Sequence, residues 1–333
     1  MLSSRSEGVL QWNVMKLFSG SSHPTLAQNI AKELKTKLGK VTLKTFSCGE
    51  QYVRYEESIR GKSVFIVQTG TPLRPAGLRG AGRNSDSDIV EICLMCQAAK
   101  LGFAASIHLV MPHFPYARQD RVAAPREPIS AKLVADLLVT AGADHVITLT
   151  LHSDQIQGFF GVPVDSLSTH GLFVEYFRKK KLPHPVVVSP GAGGAKAAKK
   201  FADALGADLA IMHKSRPEHQ KAEIIHVVGT IEGKTAILFD DMIDTGGSVI
   251  AAKKALLKHG AHPDIYLAAT HAIFSGDAVK HLREAKFKEV VVTDSIALAG
   301  KKFPGLKVCS IAPLLAEVIR HVESGQSVTE IYK

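Results

Sequence analysis

The stretch AILFDDMIDTGGS, residues 236–248, carries the pattern that decides the fold. Four apolar residues lead into the adjacent acids Asp240 and Asp241, and a polar loop with two glycines then leads into a helical pattern. This order predicts a buried strand, a loop, and a helix that begins near Ser248. In open α/β sheets ligands bind beyond the carboxyl ends of the strands, so the pattern also predicts a ligand-binding loop directly after the strand.

The composition of this loop indicates a sugar phosphate as its ligand. Glycines allow the backbone to approach a ligand closely, and free amides at the start of a helix favour a phosphate group. Carboxylates accept hydrogen bonds, which suits the vicinal hydroxyls of a sugar. We therefore expect the phosphate on residues 244–248 and the hydroxyls on Asp240 and Asp241. A plain capped turn remains an alternative, although such a turn needs only one Asp or Ser.

Outside this stretch the chain alternates between short β-rich runs and helical segments. The β-rich runs are SVFIVQT (63–69), SIHLVMP (106–112), HVITLTL (145–151), PVVVSP (185–190), LAIM (209–212), TAILF (235–239), IYLAAT (265–270) and EVVVT (289–293). Strand and helix in repeated alternation predict an α/β fold of mostly parallel sheets flanked by helices, in two similar domains that meet near residues 163–168. The Gly-rich residues 74–88 are expected to form a surface loop.

Composition narrows the class of partner and the compartment. The 333 residues are 45% hydrophobic and 22% charged, which is ordinary for a globular chain of about two domains. The formal net charge is +10, but the basic residues are dispersed at the ends of helical segments, so we expect small phosphorylated ligands and no nucleic acid. No apolar run reaches bilayer length and the first 20 residues lack the apolar core of a secretory signal, so we expect no membrane partner and a cytoplasmic location.

Two short motifs resemble functional signatures but are predicted to be structural. Cys93 and Cys96 form a single C-x-x-C motif within a helical pattern, with no second cysteine pair to complete a zinc site, so we expect both in a helix core. The segment GTIEGKT, residues 229–235, has the wrong glycine spacing for a phosphate-binding P-loop and precedes a strand instead of following one. We expect it to be a tight turn.

The segment FDDMIDTGGS, residues 239–248, resembles the phosphoribosyl diphosphate binding motif of type I phosphoribosyltransferases and ribose-phosphate diphosphokinases. Five further segments resemble the diphosphokinase family, also called phosphoribosyl pyrophosphate synthetases: FPYARQDR (114–121), PISAKLVADLL (128–138), LHSDQIQGFFGVPVD (151–165), SPGAGGAK (189–196) and THAIFSG (270–276). The resemblance extends from about residue 15 to the C-terminus. A simple phosphoribosyltransferase, the other class that uses this loop, does not need the doubled domain or the FPYARQDR segment.

The resemblance implies two type I phosphoribosyltransferase-like domains, residues 15–165 and 166–333, with the last segment packed back on the first domain. It implies transfer of the diphosphoryl group of ATP to the 1-hydroxyl of ribose 5-phosphate, a reaction of nucleotide biosynthesis, with Mg2+ as cofactor. It also implies a homohexamer or related homo-oligomer whose ATP site is shared between subunits.

The resemblance further assigns the residues of the site. The implied catalytic residues are Lys214 and Arg216, in the segment MHKSRPEHQKAE (212–223). The implied ATP-binding residues are Phe46, Cys48, Gly49, Glu50, Arg118, Gln119, Asp120 and His152. The implied ribose 5-phosphate-binding residues are Asp240, Asp241, Asp244, Thr245, Gly246, Gly247 and Ser248. The implied metal positions are His152 and Gly191. At the position of Gly191 the family pattern has an Asp.

The chain departs from the family pattern at several acidic positions. Thr150, Gly161 and Gly191 stand where the pattern has Asp, and Cys48 replaces a further Asp. The loss at Gly191 predicts weaker metal binding, unless the turn there needs a glycine with positive φ. These departures leave one alternative open, a non-catalytic regulatory homologue that binds nucleotide and modulates a partner synthetase subunit.

Overall fold

The computed structural model describes residues 15–72, 82–215 and 224–332. The elements of the first half are β1 (Met15–Ser19), α1 (Pro24–Glu33), β2 (Val41–Thr45), β3 (Gln51–Tyr55), β4 (Ser63–Val67), α2 (Ser85–Leu101), β5 (Ser106–Val110), α3 (Ser130–Ala141), β6 (His145–Leu149) and β7 (Val164–Leu167). Five of these strands form a parallel sheet in the order β1-β4-β5-β6-β7. The strands β2 and β3 form a separate antiparallel hairpin.

The second half contains a larger sheet. Its elements are α4 (His170–Lys180), β8 (Pro185–Ser189), α5 (Ala195–Leu205), β9 (Asp208–Ser215), β10 (Ile224–Val228), β11 (Thr235–Ile243), α6 (Gly247–Lys258), β12 (Tyr266–Ala272), α7 (Ala278–Ala285), β13 (Glu289–Thr293), β14 (Leu306–Cys309) and α8 (Ala312–Ser324). The sheet order is β10-β9-β8-β11-β12-β13-β14, and every pair is parallel except β9 with β10. The predicted α/β fold of mostly parallel sheets is confirmed.

The central strand β11 shows why these sheets are buried on both faces. Ala236 and Leu238 pack into one hydrophobic cluster of the second half, whereas Ile237 and Phe239 pack into the cluster on the opposite face. A strand between two helical layers must be apolar at successive positions, which explains the continuous apolar runs in the sequence. All eight predicted strands are present, and the structure adds β1, β2, β3, β7, β10 and β14.

The structure corrects two predicted boundaries. The strand β11 does not end at Phe239 but continues to Ile243, so Asp240 and Asp241 lie within it. The helix α2 already begins at Ser85, because Asn84 caps it by accepting hydrogen bonds from the amides of residues 86 and 87. The last part of the predicted loop 74–88 is therefore helix, and residues 74–81 lie outside the described part.

Two structural interpretations of motifs are confirmed. Cys96 is buried and Cys93 partly buried in the core that α2 forms against the first sheet. The segment 229–235 contains a tight turn, with Gly233 at φ +68° and the Lys234 amide bonded to the carbonyl of Ile231.

The C-terminal helix returns to the first half of the chain. The helix α8 packs on α1, and its buried residues Leu315 and Ile319 share a hydrophobic cluster with Leu17 and Phe65 of the first sheet. The strand β7 spans residues 164–167, across the predicted boundary between residues 165 and 166. The domain limits stay a prediction.

Candidate active site

Asp240 and Asp241 lie where β11 extends beyond its neighbour β8. The pairing of β11 with β8 ends at Leu238, whereas its pairing with β12 continues through Asp240 to Ile243. The extension exposes one edge of β11 at the carboxyl end of the sheet, so both carboxylates are half-buried and open to a ligand.

The loop after β11 leads directly into α6. Gly246 adopts a left-handed conformation at φ +82°, a backbone geometry that favours glycine, and no side chain caps the helix. Thr245, Gly247 and Ser248 are exposed, and Asp244 is half-buried. The first amides of α6 are therefore free of a side-chain cap, which is the arrangement that binds a phosphate.

The two adjacent acids have opposite pKa shifts. Burial and the neighbouring charge of Asp241 raise the pKa of Asp240 to about 7. Burial also acts to raise the pKa of Asp241, but the hydrogen bond and charge of His152 outweigh it, so the pKa of Asp241 is lowered. The charge of His152 also acts to lower the pKa of Asp240, but burial and Asp241 outweigh it, so a bound cation or hydroxyl donors would stabilise the charged form of Asp240.

Two side chains from the first half of the chain reach this loop. His152 Nδ1 lies 2.6 Å from Asp241 Oδ2, and Arg118 donates a hydrogen bond of 2.9 Å to Asp244 Oδ2. The hydrogen bond to Asp241 is the main cause that raises the pKa of His152. The structure therefore brings two residues predicted to bind ATP against two residues predicted to bind ribose 5-phosphate.

The other residues of the 118–120 segment lie next to this contact. Gln119 is exposed, but its side-chain oxygen accepts a hydrogen bond of 2.7 Å from Ser130 at the start of α3. Asp120 is half-buried, and its charge helps to raise the pKa of His152. The segment is thus anchored to α3 while Arg118 points to the loop after β11.

The predicted adenine segment lies on the hairpin of β2 and β3. Phe46, Cys48, Gly49 and Glu50 are all exposed, and the Phe46 side chain contacts Tyr52 edge to face at 5.8 Å between ring centroids. Within the described ranges, no hydrogen bond, ion pair or ring contact joins these residues to Arg118 or His152. The described part of the chain does not bring the two parts of the predicted ATP site together.

Gly191 does not have a glycine-specific conformation. Its φ of −164° and ψ of +164° are extended backbone that any residue adopts, and a Cβ built there meets no atom within 4 Å. The expectation of a positive φ at this turn is wrong. A Cβ at Gly161 likewise meets only Val139, at 4.0 Å. Backbone geometry does not explain the loss of an acid at either position.

The structure describes only part of the predicted catalytic segment. Lys214 lies in β9, where its backbone pairs with Ile225 of β10. Arg216 lies outside the described residues, as does the rest of the segment up to residue 223. Among the described residues, no group of three or more His, Cys, Asp or Glu side chains could by itself hold a metal ion.

Sequence reasoning missed a layer of residues behind this loop. The side chains of His113 and His271 pack with ring centroids 4.9 Å apart, beside Thr150 and Met242 in the crevice that His152 also lines. His271 is buried, and this burial lowers its pKa to about 3. The segment THAIFSG contains His271, but a histidine in a strand has no periodic signal that separates a site residue from a core residue.

The described features define an α/β protein in which an acidic strand end lies beside the uncapped start of a helix, an arrangement that suits a sugar phosphate. The family model of the N-terminal domain of ribose phosphate pyrophosphokinase matches residues 15–142, and that of the phosphoribosyl synthetase-associated domain matches residues 217–333. The chain belongs to the ribose-phosphate pyrophosphokinase family, a family of enzymes, as the sequence predicted.

Individual relatives extend along nearly the whole chain. Ribose-phosphate pyrophosphokinase from Caldanaerobacter subterraneus subsp. tengcongensis is 45% identical, over 96% of this chain and 98% of the relative. The Bacillus subtilis protein of the same name is 45% identical, over 96% and 97%. The crystal structure of phosphoribosylpyrophosphate synthetase from Mycobacterium smegmatis superposes with a TM-score of 0.85 at 43% identity, over 93% of this chain and 99% of the other.

Proposed function

We propose that the chain transfers the diphosphoryl group of ATP to the 1-hydroxyl of ribose 5-phosphate. The observation that carries the proposal is the 2.6 Å contact of His152 with Asp241, because it joins the predicted nucleotide-binding segment to the predicted sugar-binding strand. The sugar O1 forms a bond to the β-phosphorus of ATP, and the bond from that phosphorus to the oxygen bridging to the α-phosphorus breaks. AMP leaves with the bridging oxygen, and the hydroxyl proton passes to water.

In this proposal ribose 5-phosphate lies along the end of β11 and the start of α6. The free amides after Asp244 and the left-handed Gly246 support a phosphate at residues 244–248. The hydroxyls of the sugar donate to Asp240 and Asp241. Because burial and the charge of Asp241 raise the pKa of Asp240 to about 7, those donors stabilise a carboxylate charge that the surrounding protein disfavours.

ATP lies between two subunits in this proposal. Arg118, Gln119, Asp120 and His152 of one subunit face the sugar site, and the hairpin with Phe46 comes from a neighbouring subunit. The exposure of that hairpin supports this arrangement, since Phe46 is 51% exposed and an exposed aromatic ring can stack on a purine. We accordingly propose a homohexamer or related homo-oligomer.

We propose Mg2+ as the cofactor. The donor set beside the site suits it in part, since the carboxylates of Asp240 and Asp241 are the oxygen ligands that Mg2+ prefers, with His152 next to them. When bound with ATP, the cation neutralises charge on the phosphates. Lys214, near the end of β9, and Arg216, two residues later in the chain, supply further positive charge to the diphosphoryl group in transfer.

The compartment is proposed to be the cytoplasm. All four cysteines lie in described parts of the chain and none forms a disulfide, which suits a reducing compartment. In the described ranges, no helix has the length and apolar character that a bilayer crossing requires.

A direct assay tests the proposed reaction. The purified protein should form AMP and phosphoribosyl diphosphate only when ATP, ribose 5-phosphate and Mg2+ are all present. Mixtures that lack one component serve as controls. Tight ATP binding without AMP release over a wide range of Mg2+ and phosphate concentrations would contradict the proposal and indicate a regulatory homologue.

A further inference from the structure

The backbone just before His152 has an unusual conformation. Thr150 follows β6 and adopts φ +40°, the left-handed region that a β-branched residue rarely occupies. A residue in such a conformation is strained and persists only when its surroundings hold it. This turn takes the chain out of the first sheet and places His152, two residues later, against Asp241.

Two adjacent residues of β12 in the second sheet hold this turn. His271 Nε2 lies 3.1 Å from the carbonyl oxygen of Leu149 and 3.3 Å from that of Thr150. The hydroxyl of Thr270 donates to the hydroxyl of Thr150 at 3.2 Å. A third hydroxyl, that of Thr169, lies 2.7 Å from Thr270 Oγ1. The side chain and the carbonyl of Thr150 are thus bonded to β12, while its amide donates to the carbonyl of Leu167 in β7 at 2.9 Å.

The hydrogen-bond partners determine which nitrogen of His271 carries the proton. Carbonyl oxygens only accept hydrogen bonds, so Nε2 must be the protonated nitrogen. Nδ1 lies 3.0 Å from Ser295 Oγ, and the hydroxyl hydrogen of Ser295 is within reach of both this nitrogen and the carbonyl oxygen of Thr270, 3.2 Å away. Both ring nitrogens of this buried side chain therefore have a hydrogen-bond partner.

The same strand pair also carries the partner of His152. Met242 of β11 is in register with His271 of β12, and Asp241 precedes Met242. The residue that holds Thr150 and the residue that receives His152 therefore lie on neighbouring strands at the same level of the second sheet. A shift of the Thr150 turn would move His152 relative to Asp241.

We propose that His271, together with Thr270, is a positioning residue that sets His152 against Asp241 by holding the left-handed turn at Thr150. The proposal rests on the proposed function, since it assumes that His152 acts in the reaction. In this proposal the turn is held by the hydrogen bonds that His271 Nε2 and the Thr270 hydroxyl donate, and not by the volume that these side chains fill.

Three variants test this assignment. His271→Leu fills a similar volume without a donor and should lower kcat about tenfold to a hundredfold, the range expected for a misplaced reacting group. Its KM for ribose 5-phosphate should stay within about twofold, because the sugar loop is untouched. His271→Gln retains a donor at the ε position and should recover most of the lost kcat. Thr270→Val replaces only the hydroxyl and, like His271→Leu, should lower kcat.

His108→Leu is the matched control. His108 is partly buried and, like His271, lies on a parallel strand, but its hydrogen bonds to Ser106 and His145 lie near the starts of their strands, away from this site. This variant should lose thermal stability without a comparable loss of kcat. If His271→Leu does not fold, Thr270→Val and His271→Gln carry the test.

A double-mutant cycle shows whether His271 acts through His152. In a His152→Ala background, His271→Leu should lower kcat by no more than about twofold, because residues that act through one another are not additive. Full additivity, or equal kcat for wild type, His271→Leu and Thr270→Val, would overturn the positioning role. A wild type that releases no AMP would instead overturn the proposed function, so the two failures are distinguishable.

Discussion

At the scale of single residues, Asp240 and Asp241 are chain neighbours with different partners. Asp241 is bonded to His152, and the side-chain oxygen of Asp240 accepts a hydrogen bond from the amide of Asp241. The raised pKa of Asp240 means that its ionised form costs free energy in the folded protein. The chain retains an unfavourable carboxylate where the proposed ligand donates hydrogen bonds.

The first prediction concerns the stability of Asp240→Asn. The pKa of Asp240 is about 7 in the folded protein and 3.8 as the ordinary value, so this group destabilises the fold increasingly as pH rises between these values. In the absence of ligands, Asp240→Asn should increase the free energy of unfolding. This increase should be about 1 to 3 kcal/mol larger at pH 8 than at pH 5. Urea unfolding at both pH values measures it.

The exposed Asp208, which pairs with Lys234, provides the control for this experiment. Asp208→Asn should change stability by less than about 1 kcal/mol at both pH values, as is usual for surface ion pairs. Asp240→Asn should also bind ribose 5-phosphate more weakly. A gain in stability that is the same at pH 5 and pH 8 would show that Asp240 is not the titrating group.

The second prediction concerns Gly191. Since its backbone is extended and a Cβ has open space, Gly191→Asp should fold with an unchanged Tm. If an acid at this position binds Mg2+, the variant should lower the Mg2+ concentration for half-maximal activity several-fold, because Mg2+ prefers carboxylate ligands. Gly191→Asn has the same shape without the charge and should keep the wild-type requirement. Identical Mg2+ titrations of all three proteins would reject a metal role for this position.

At the scale of elements, one strand serves both the core and the site. The first five residues of β11 are buried between two helical layers, and its last residues extend past β8. On the other side of β8, the strands β9 and β10 form the antiparallel pair of this sheet, and Lys214 lies near the end of β9. The catalytic charge is therefore proposed to come from the end of a hairpin at the sheet edge.

The third prediction tests this hairpin. Lys214→Ala should lower kcat by about a hundredfold or more with little change in the KM for ribose 5-phosphate, because its charge is needed chiefly in the transition state. Lys214→Arg retains the charge and should keep more activity than the alanine variant. Steady-state kinetics with each substrate varied separates the two constants. A higher KM with a normal kcat in Lys214→Ala would assign the residue to substrate binding instead.

At the scale of the whole molecule, the two halves are joined by hydrogen bonds and by the C-terminal helix. His23 Nε2 lies 2.8 Å from the carbonyl of Asp294, and the hydroxyl of Thr69 donates to the carbonyl of Ser295 at 3.0 Å. The helix α8 completes the core of the first sheet against α1. The last residues of the sequence therefore stabilise the first strands.

The fourth prediction follows from this packing. Leu315 is fully buried in the cluster that α8 shares with the first sheet, so Leu315→Ala should lower the free energy of unfolding by about 2 to 5 kcal/mol. Hydrogen exchange should accelerate more at the amides of β1 and β4 than at those of β12. The adjacent, partly buried Leu314 is the control, and Leu314→Ala should lower the free energy of unfolding by less than Leu315→Ala does. Equal acceleration in both sheets would mean that the chain opens as one unit.

The sequence by itself determined the α/β class, the eight apolar strands, the glycine-containing loop between β11 and α6, and the turn at residues 229–235. These features depend on local patterns: continuous apolar runs, glycine positions and acids at a strand end. The hairpin strands β2 and β3 and the edge strands β10 and β14 were missed, because partly exposed strands lack the continuous apolar signal of central ones.

The tertiary structure alone decided the length of β11, the backbone of Gly191 and the contact of His152 with Asp241. The extension of β11 depends on pairing with β12, and the left-handed turn at Thr150 depends on Thr270 and His271, more than a hundred residues away in the chain. Local sequence does not encode such positions, because their free energy comes from hydrogen bonds that exist only when the two sheets are in place.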